Sequence, residues 1–270
     1  MTSLAVSVLA SDIDVGEAAA DIVLAAHQQA TAERRAFVLG CPAGRTPRST
    51  YAALARRVAA AQVDLSNTRI VMMDEYVEHS TGDWRWCPSH AHYSCRGFAE
   101  RELRSVINAG LPVSKQIPAH AVHTPEPERP EEYERLIEAL GGIDVFLLAT
   151  GASDGHVAFN PPGTSLGSVT RVVELAPTTR SDNVGTFPRF SSGDEVPRHG
   201  VSVGLGTIVR LSRRTLLLIC GPSKRASFRR VMSSGGFDAS WPATVIWTCV
   251  HGEVLADEAA AGKRKDKRYA

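Results

Sequence analysis

Short apolar runs of strand length alternate along this chain with longer stretches in which apolar residues recur every three or four positions. That is the pattern of a parallel sheet covered by helices on both faces. Residues 36–39, 70–73, 145–148, 216–219 and 244–247 are the predicted strands, each an unbroken apolar or β-branched run. Helices fit between them. Asp14 is placed to cap a helix running to about Ala32, and Pro47 stands where a first-turn proline opens the helix carrying Tyr51, Leu54 and Val58. Further helices are expected over 92–107 and 222–232.

This order predicts an α/β fold: a single doubly wound, mostly parallel sheet of Rossmann-like form, with helices on both faces. No repeat or linker divides the chain, so residues 1–262 are expected to form one domain. Residues 263–270, rich in Lys and Arg, read as a disordered basic tail. Between 160 and 200 the alternation breaks. Pro, Gly, Ser and Thr crowd this stretch and only 170–175 looks strand-like, which suggests a lid over a site.

Composition narrows the classes of function. Thirty Lys and Arg against 29 Asp and Glu give a formal charge of +1, so the chain has no overall basic field and no nucleic-acid partner is expected. The five cysteines, 41, 87, 95, 220 and 249, are scattered without the close spacing of a zinc or redox motif and read as reduced thiols. With no signal-like start and no segment long enough to cross a bilayer, the expectation is a cytoplasmic protein without a membrane partner.

Four loops that follow predicted strands carry residues suited to a phosphorylated sugar. Gly40-Cys41-Pro42-Ala43-Gly44-Arg45-Thr46-Pro47 is a small-residue turn into a helix, where backbone N–H groups can cradle a phosphate and Arg45 and Thr46 add a cation and a hydroxyl. Taken alone, such a turn is more often structural. Met73-Asp74-Glu75-Tyr76 places two carboxylates directly after a strand, where neighbours point to opposite sides. Asp74 is then the one for the cleft while the other contacts the scaffold, unless Asp74 merely caps the next segment and Glu75 pairs with an arginine. Gly151-Ala152-Ser153-Asp154-Gly155-His156 sets a carboxylate two residues from an imidazole, so that Asp154 can orient His156 as a general acid/base. No further His or Cys lies at metal-ligand spacing there, and no metal is assigned. Gly221-Pro222-Ser223-Lys224 is again a strand-to-helix turn, its lysine suited to a phosphate oxyanion or equally to plain solvent exposure.

In this order the four loops resemble the glucosamine-6-phosphate deaminase/isomerase family, whose superfamily includes 6-phosphogluconolactonase. The likeness runs from about residue 36 to 250, through Pro42-Ala43-Gly44-Arg45-Thr46-Pro47, Met73-Asp74-Glu75-Tyr76, Asp154-Gly155-His156-Val157-Ala158-Phe159-Asn160, 201–207 and Gly221-Pro222-Ser223-Lys224. The resemblance implies that Asp74 shuttles a proton between C1 and C2 of an open-chain sugar and that His156, oriented by Asp154, assists ring opening. It implies a sugar phosphate held by Gly44, Arg45, Thr46, Glu75, Asn160, Arg180 and Lys224, and no cofactor or catalytic metal. Family members range from monomers to hexamers; no stripe in this chain selects among them, and a homo-oligomer is one possibility.

Two positions depart from the family pattern. Pro161 stands where the deaminases carry a glutamate partner for the histidine, and the arginine expected in the lid falls near Gly185 or Thr186, leaving Arg189 or Arg45 to supply its charge. Trp84 and Trp86, in an added segment, are placed either to stack on a sugar or to serve as core or interface residues. The leading reading is an amino sugar phosphate isomerase/deaminase of the glucosamine 6-phosphate type. A 6-phosphogluconolactonase-like hydrolase and a sugar-phosphate sensor without turnover are the alternatives.

Overall fold

The computed structural model describes residues 4–80, 82–187 and 189–262; the expected basic tail lies outside them. In chain order the main elements are β1 (Ala5–Leu9), α1 (Asp12–Ala32), β2 (Phe37–Cys41), α2 (Arg48–Ala61), β3 (Thr68–Met72), β4 (Asp74–Ser80), β5 (Asp83–Trp86), α3 (Cys95–Phe98), α4 (Ser105–Asn108) and β6 (Val122–His123). They continue with α5 (Pro130–Ala139), β7 (Val145–Ala149), β8 (Arg171–Glu174), α6 (Pro177–Thr186), β9 (His199–Ser202), α7 (Leu205–Leu211), β10 (Thr215–Ile219), α8 (Arg225–Ser234), β11 (Gly252–Asp257) and α9 (Glu258–Ala261).

Seven strands form one sheet in the order β1-β11-β10-β7-β2-β3-β6, parallel at every pairing. Because side chains alternate along a strand, each strand feeds two cores. Phe37, Leu39, Ile70, Met72, Val145, Leu147, Leu216 and Leu218 pack with α1, α2 and the α3–α4 stretch. Val38, Val71, Phe146, Leu148, Leu217 and Ile219 pack on the other side with α5, α7, α8 and residues 242–248. The near-continuous apolar character of the strands follows from burial on both faces. Gly40 is the exception in β2, where a Cβ would lie 2.2 Å from the Phe146 ring on the neighbouring strand.

From β2 the chain winds outward through β3 to β6, and from β7 it winds the other way through β10 to β11. The switch lies between β2 and β7, and a doubly wound sheet opens its crevice at the carboxyl ends of the strands flanking such a point. The loops after β2, β3, β7 and β10 all emerge at that end.

Several expectations are corrected. Residues 244–247 are not a strand: Pro242–Thr248 is a 3₁₀ helix that packs on β10 and β11. Pro242 opens its first turn, and the Thr244 hydroxyl accepts from Asp238 N at 2.8 Å and donates to Trp241 O, also at 2.8 Å. Those local bonds favour a turn, and a short apolar run buried on several sides gives no period to decide between helix and strand. The first helix is capped by Ser11, whose hydroxyl accepts from Asp14 N, so Asp14 sits in the first turn instead. Pro47 sits at the N-cap of α2, just before its first residue. The helix expected over 92–107 starts at Cys95, behind the Ser94 cap, and passes through a π-helical turn at Ala99–Arg104.

The Pro/Gly/Ser/Thr-rich stretch is more ordered than its composition suggests. It contributes β8, α6 and β9, and β8 and β9 join β4 and β5 in a four-stranded antiparallel sheet of order β5-β4-β9-β8. Its apolar side is a third cluster of Tyr76, Phe159, Val173, Phe187 and Phe190, which fastens α6 beside the carboxyl end of the large sheet.

Candidate active site

The cleft at the switch point encloses about 310 Å³ and is walled by the loops after β2, β3, β7 and β10 and by α6. Gly44, Arg45, Thr46, Asp74, His156 and Lys224 all line it, so residues far apart in the chain meet in one place. A larger hollow of about 720 Å³ opens at the opposite end of the sheet beside Arg35, Asp144 and Glu253, and no candidate residue lines it. Its acids are paired with arginines: Arg35 with Asp144, and Arg214 with Glu253.

Asp74 and Glu75 part company as adjacent residues of a strand must. Asp74, first residue of β4, is 6% exposed, and burial pushes its carboxyl up to about 7; the neighbouring Glu75 charge adds to this and the Cys95 thiol opposes it. Glu75 turns to the other side and is wholly buried. It accepts from Cys95 N and Arg96 N at 2.8 Å and from the Ser94 hydroxyl at 2.7 Å, with the Arg96 Nε at 3.5 Å. Glu75 therefore caps the start of α3 and pairs with an arginine; it does not line the cleft.

The histidine loop is built around a close approach. A Cβ on Gly151 would lie 2.2 Å from His156 Nδ1 and 2.5 Å from Asp154 Oδ1, so the pair folds back over a backbone that has no side chain there. Gly155, between the two, adopts φ +66 beneath the Trp241 indole. Ala158 is held at φ +51, local strain of the kind that clusters at functional sites. Asp154 Oδ1 sits 2.7 Å from His156 Nδ1, and Asp154 Oδ2 accepts from the hydroxyls of Thr178 and Thr179, each at 2.7 Å. Burial of Asp154 favours its neutral form, yet these hydrogen bonds and the imidazole outweigh it and hold the carboxyl well below the usual range. With Nδ1 committed to an ionised carboxylate, His156 is left its Nε2 for a substrate.

Asp182 was not visible as a site residue in the sequence. On α6 its carboxylate accepts from Ala152 N at 2.7 Å, Ser153 N at 3.0 Å and the Ser153 hydroxyl. The threonines and Asp182 together tie α6 to the histidine loop. Asp154, His156 and Asp182 also bring possible metal-ligand atoms within 4.8 Å of one another, although both carboxylates are already engaged by hydrogen-bond donors. Lys224 reaches back to donate to Thr150 O; burial lowers its pKa, and the nearby Arg45 charge acts in the same direction.

Two more expected ligands are placed elsewhere. Asn160 is fully buried, its amide donating to Val157 O and Val203 O while its oxygen accepts from Arg171, so it holds the loop to β9 and does not face the cleft. Arg180 points away, donating to Val196 O at 3.2 Å and pairing with Asp194. Its neighbours in sequence, Ser181, Asp182 and Asn183, are the ones that face in. Arg189 does not line the cleft. Arg45 does, and its Nη2 lies 3.7 Å from where a Cβ of Gly185 would stand. The tryptophans are likewise outside: Trp86 donates to Pro125 O beneath the Arg96 guanidinium, and Trp84 packs between His79 and His199. In the cleft wall the buried Tyr76 hydroxyl and Asn183 amide nitrogen have no hydrogen-bond partner among the described residues.

The arrangement joins a buried carboxylate that titrates near neutrality, a carboxylate-bound imidazole, and two cations beside a glycine turn. Residues 10–256 match the model of the family described as glucosamine-6-phosphate isomerases/6-phosphogluconolactonase. The chain belongs to that family. Among curated members, a glucosamine-6-phosphate deaminase of Geobacillus sp. (strain WCH70) is 36% identical over 256 residues, covering 94% of each chain. One from Streptomyces avermitilis is 33% identical over 254 residues, covering 93% of this chain and 91% of its own. A solved monomeric glucosamine-6-phosphate deaminase superposes with a TM-score of 0.79 at 29% identity, covering 97% of this chain and all of its own. The 6-phosphogluconolactonase of Trypanosoma cruzi shares the fold, with a TM-score of 0.70 at 15% identity over 97% of both chains. This chain is thus an enzyme of the glucosamine-6-phosphate isomerase/6-phosphogluconolactonase family. Among the described residues no helix is long and apolar enough to cross a membrane.

Proposed function

We propose that the cleft converts an amino sugar phosphate of the glucosamine 6-phosphate type and water into a ketose phosphate and ammonia. The observation that carries this reading is Asp74: a buried carboxylate in the cleft wall, titrating near pH 7, set apart from the Asp154–His156 pair. A lactone hydrolase needs an activated water and has no use for a separate carbon base.

The steps divide between the two groups. His156, through Nε2, takes the O1 proton of the cyclic sugar and returns one to the ring oxygen, opening the ring. Asp74 removes the C2 proton from the open-chain form and delivers a proton to C1, leaving an imine at C2. Water adds to that imine and ammonia leaves. One carboxylate serves both carbons because they are adjacent, and a base with a pKa near the working pH is half ionised yet still basic.

Arg45, Lys224 and Thr46, with the backbone of Gly44, bind the phosphate. Arg45 stands beside Gly185 and supplies the charge of the missing lid arginine. α6 acts as the lid, and its bonds to Asp154 couple lid position to His156 orientation. Pro161 leaves His156 with a single carboxylate partner, which weakens ring opening and not the proton transfer. The five unpaired cysteines fit a reducing compartment such as the cytoplasm. The test is ammonia release and fructose 6-phosphate formation from glucosamine 6-phosphate by the purified protein. Opening of 6-phosphogluconolactone without either product sinks the proposal.

A further inference from the structure

We propose that Cys95 is a positioning residue for the carbon base: its thiol holds one oxygen of Asp74 and leaves the other to the substrate. This rests on the reading of Asp74 given above. The thiol Sγ lies 3.2 Å from Asp74 Oδ1, inside the cleft wall, and is the one side chain among the described residues that donates to that carboxylate. Cys95 is itself only 2% exposed.

The two adjacent carboxylates build this contact together. Glu75 accepts the backbone N–H of Cys95 and the hydroxyl of Ser94, which fixes the first turn of α3 against β4. With its backbone held from one face of the strand, the Cys95 side chain reaches Asp74 on the other. Around Asp74 stand Glu75 and Tyr76 on its own strand, Tyr133 on α5 and Cys95 on α3; Arg45, His156 and Lys224 line the same cleft. Among these, Cys95 alone donates a hydrogen bond to it.

A thiol suits this place chemically. A base that must address two neighbouring carbons needs its orientation fixed. A strong donor such as a guanidinium would fix it but also stabilise the anion and lower its basicity. Sulfur donates weakly and so orients at small cost to basicity. Burial, with the Asp74 and Glu75 charges behind it, keeps the Cys95 thiol protonated at working pH, so it acts as a constant donor and not as a nucleophile.

The test compares Cys95→Ala and Cys95→Ser with the wild-type protein by the pH dependence of kcat/KM and, without substrate, by carboxyl carbon NMR of Asp74. Cys95→Ala is expected to move the Asp74 titration and the acid limb up by about half a unit to one unit and to lower kcat about three- to tenfold, as for one lost hydrogen bond, with KM little changed. Cys95→Ser, a stronger donor, is expected to move both down in pH and to keep most of kcat. If Cys95→Ala does not fold, the serine variant decides the matter alone. An Asp74 titration and acid limb that stay put in every folded variant overturn the role of Cys95. A C2 hydrogen that the wild-type protein neither exchanges with solvent nor transfers to C1 of the product overturns the reading of Asp74 instead, before any variant is made.

Discussion

Asp154 and Thr179 are joined by a 2.7 Å hydrogen bond between the histidine loop and α6, so the carboxylate bonded to His156 is itself held by a helix that lines the cleft. Thr178 makes the same bond to the same oxygen. Two hydroxyls thus back the carboxylate of the Asp154–His156 pair. Replacing both threonines with valine is expected to lower kcat about tenfold or more with a smaller change in KM, because orientation and not binding is lost. Steady-state kinetics on glucosamine 6-phosphate check this; unchanged kcat would separate α6 from the chemistry.

The same environment sets an acid limit on stability. The folded-state pKa of Asp154 lies below its unfolded value of about 3.9, so its contribution is fully present above that pH and is lost as pH falls through the folded value. Urea midpoints should therefore decline below about pH 4 more steeply in the wild-type protein than in Asp154→Asn. Parallel declines would contradict the assignment.

Asp74 has the opposite sign. Its folded pKa, pushed up to about 7, exceeds the unfolded value, so between about pH 4 and 7 the folded state binds the extra proton and stability falls as pH rises. Asp74→Asn is expected to abolish turnover while raising stability at pH 8 by on the order of 2–4 kcal/mol, with little gain at pH 4. Melting temperatures at the two pH values decide it, and a destabilised variant at pH 8 would refute the burial argument.

Arg45 is expected to act on binding. Arg45→Gly should raise KM for the phosphorylated substrate about 10- to 100-fold, the value of a charge-assisted hydrogen bond, with kcat nearly unchanged. Adding Gly185→Arg in that background should recover most of the loss, since the two positions share the same space. An unaltered KM would move the phosphate away from this loop.

Gly151→Ala puts a methyl group within 2.2 Å of His156 Nδ1 and so must displace the Asp154–His156 pair. A shift of about 1 Å is expected to cost on the order of 100-fold in kcat. Retained activity in a folded variant would show that the pair is not used.

The parallel sheet and the meeting of four loops at one end were legible because buried strands read as apolar runs and parallel strands all point the same way. Asp74, Asp154, His156, Arg45 and Lys224 were legible because each follows such a run. The small sheet was not, since β4 opens with two buried carboxylates and β5 is a short edge strand. The alternation of a strand sends Glu75 to the scaffold once Asp74 faces the cleft; its place among the substrate ligands rested on the resemblance, and only the packing of α3 reveals that its carboxylate is engaged by Ser94, Arg96 and backbone N–H groups. Asn160 and Arg180 are ligands only by resemblance, and their side chains turn to scaffold partners that sequence spacing does not encode. Asp182 and Cys95 stayed hidden because each meets its partner only when distant segments fold together.

The central claim, that Asp74 moves a proton between C2 and C1, is tested most directly by proton NMR in deuterated water with glucosamine 6-phosphate and the wild-type and Asp74→Asn proteins. Deuterium entering at C1 of the product or C2 of the substrate with the wild-type protein, and at neither with Asp74→Asn, is the expected result. Undiminished deuterium incorporation by Asp74→Asn would contradict it, as would wild-type turnover of C2-deuterated substrate in which the label is neither carried to C1 of the product nor lost to water.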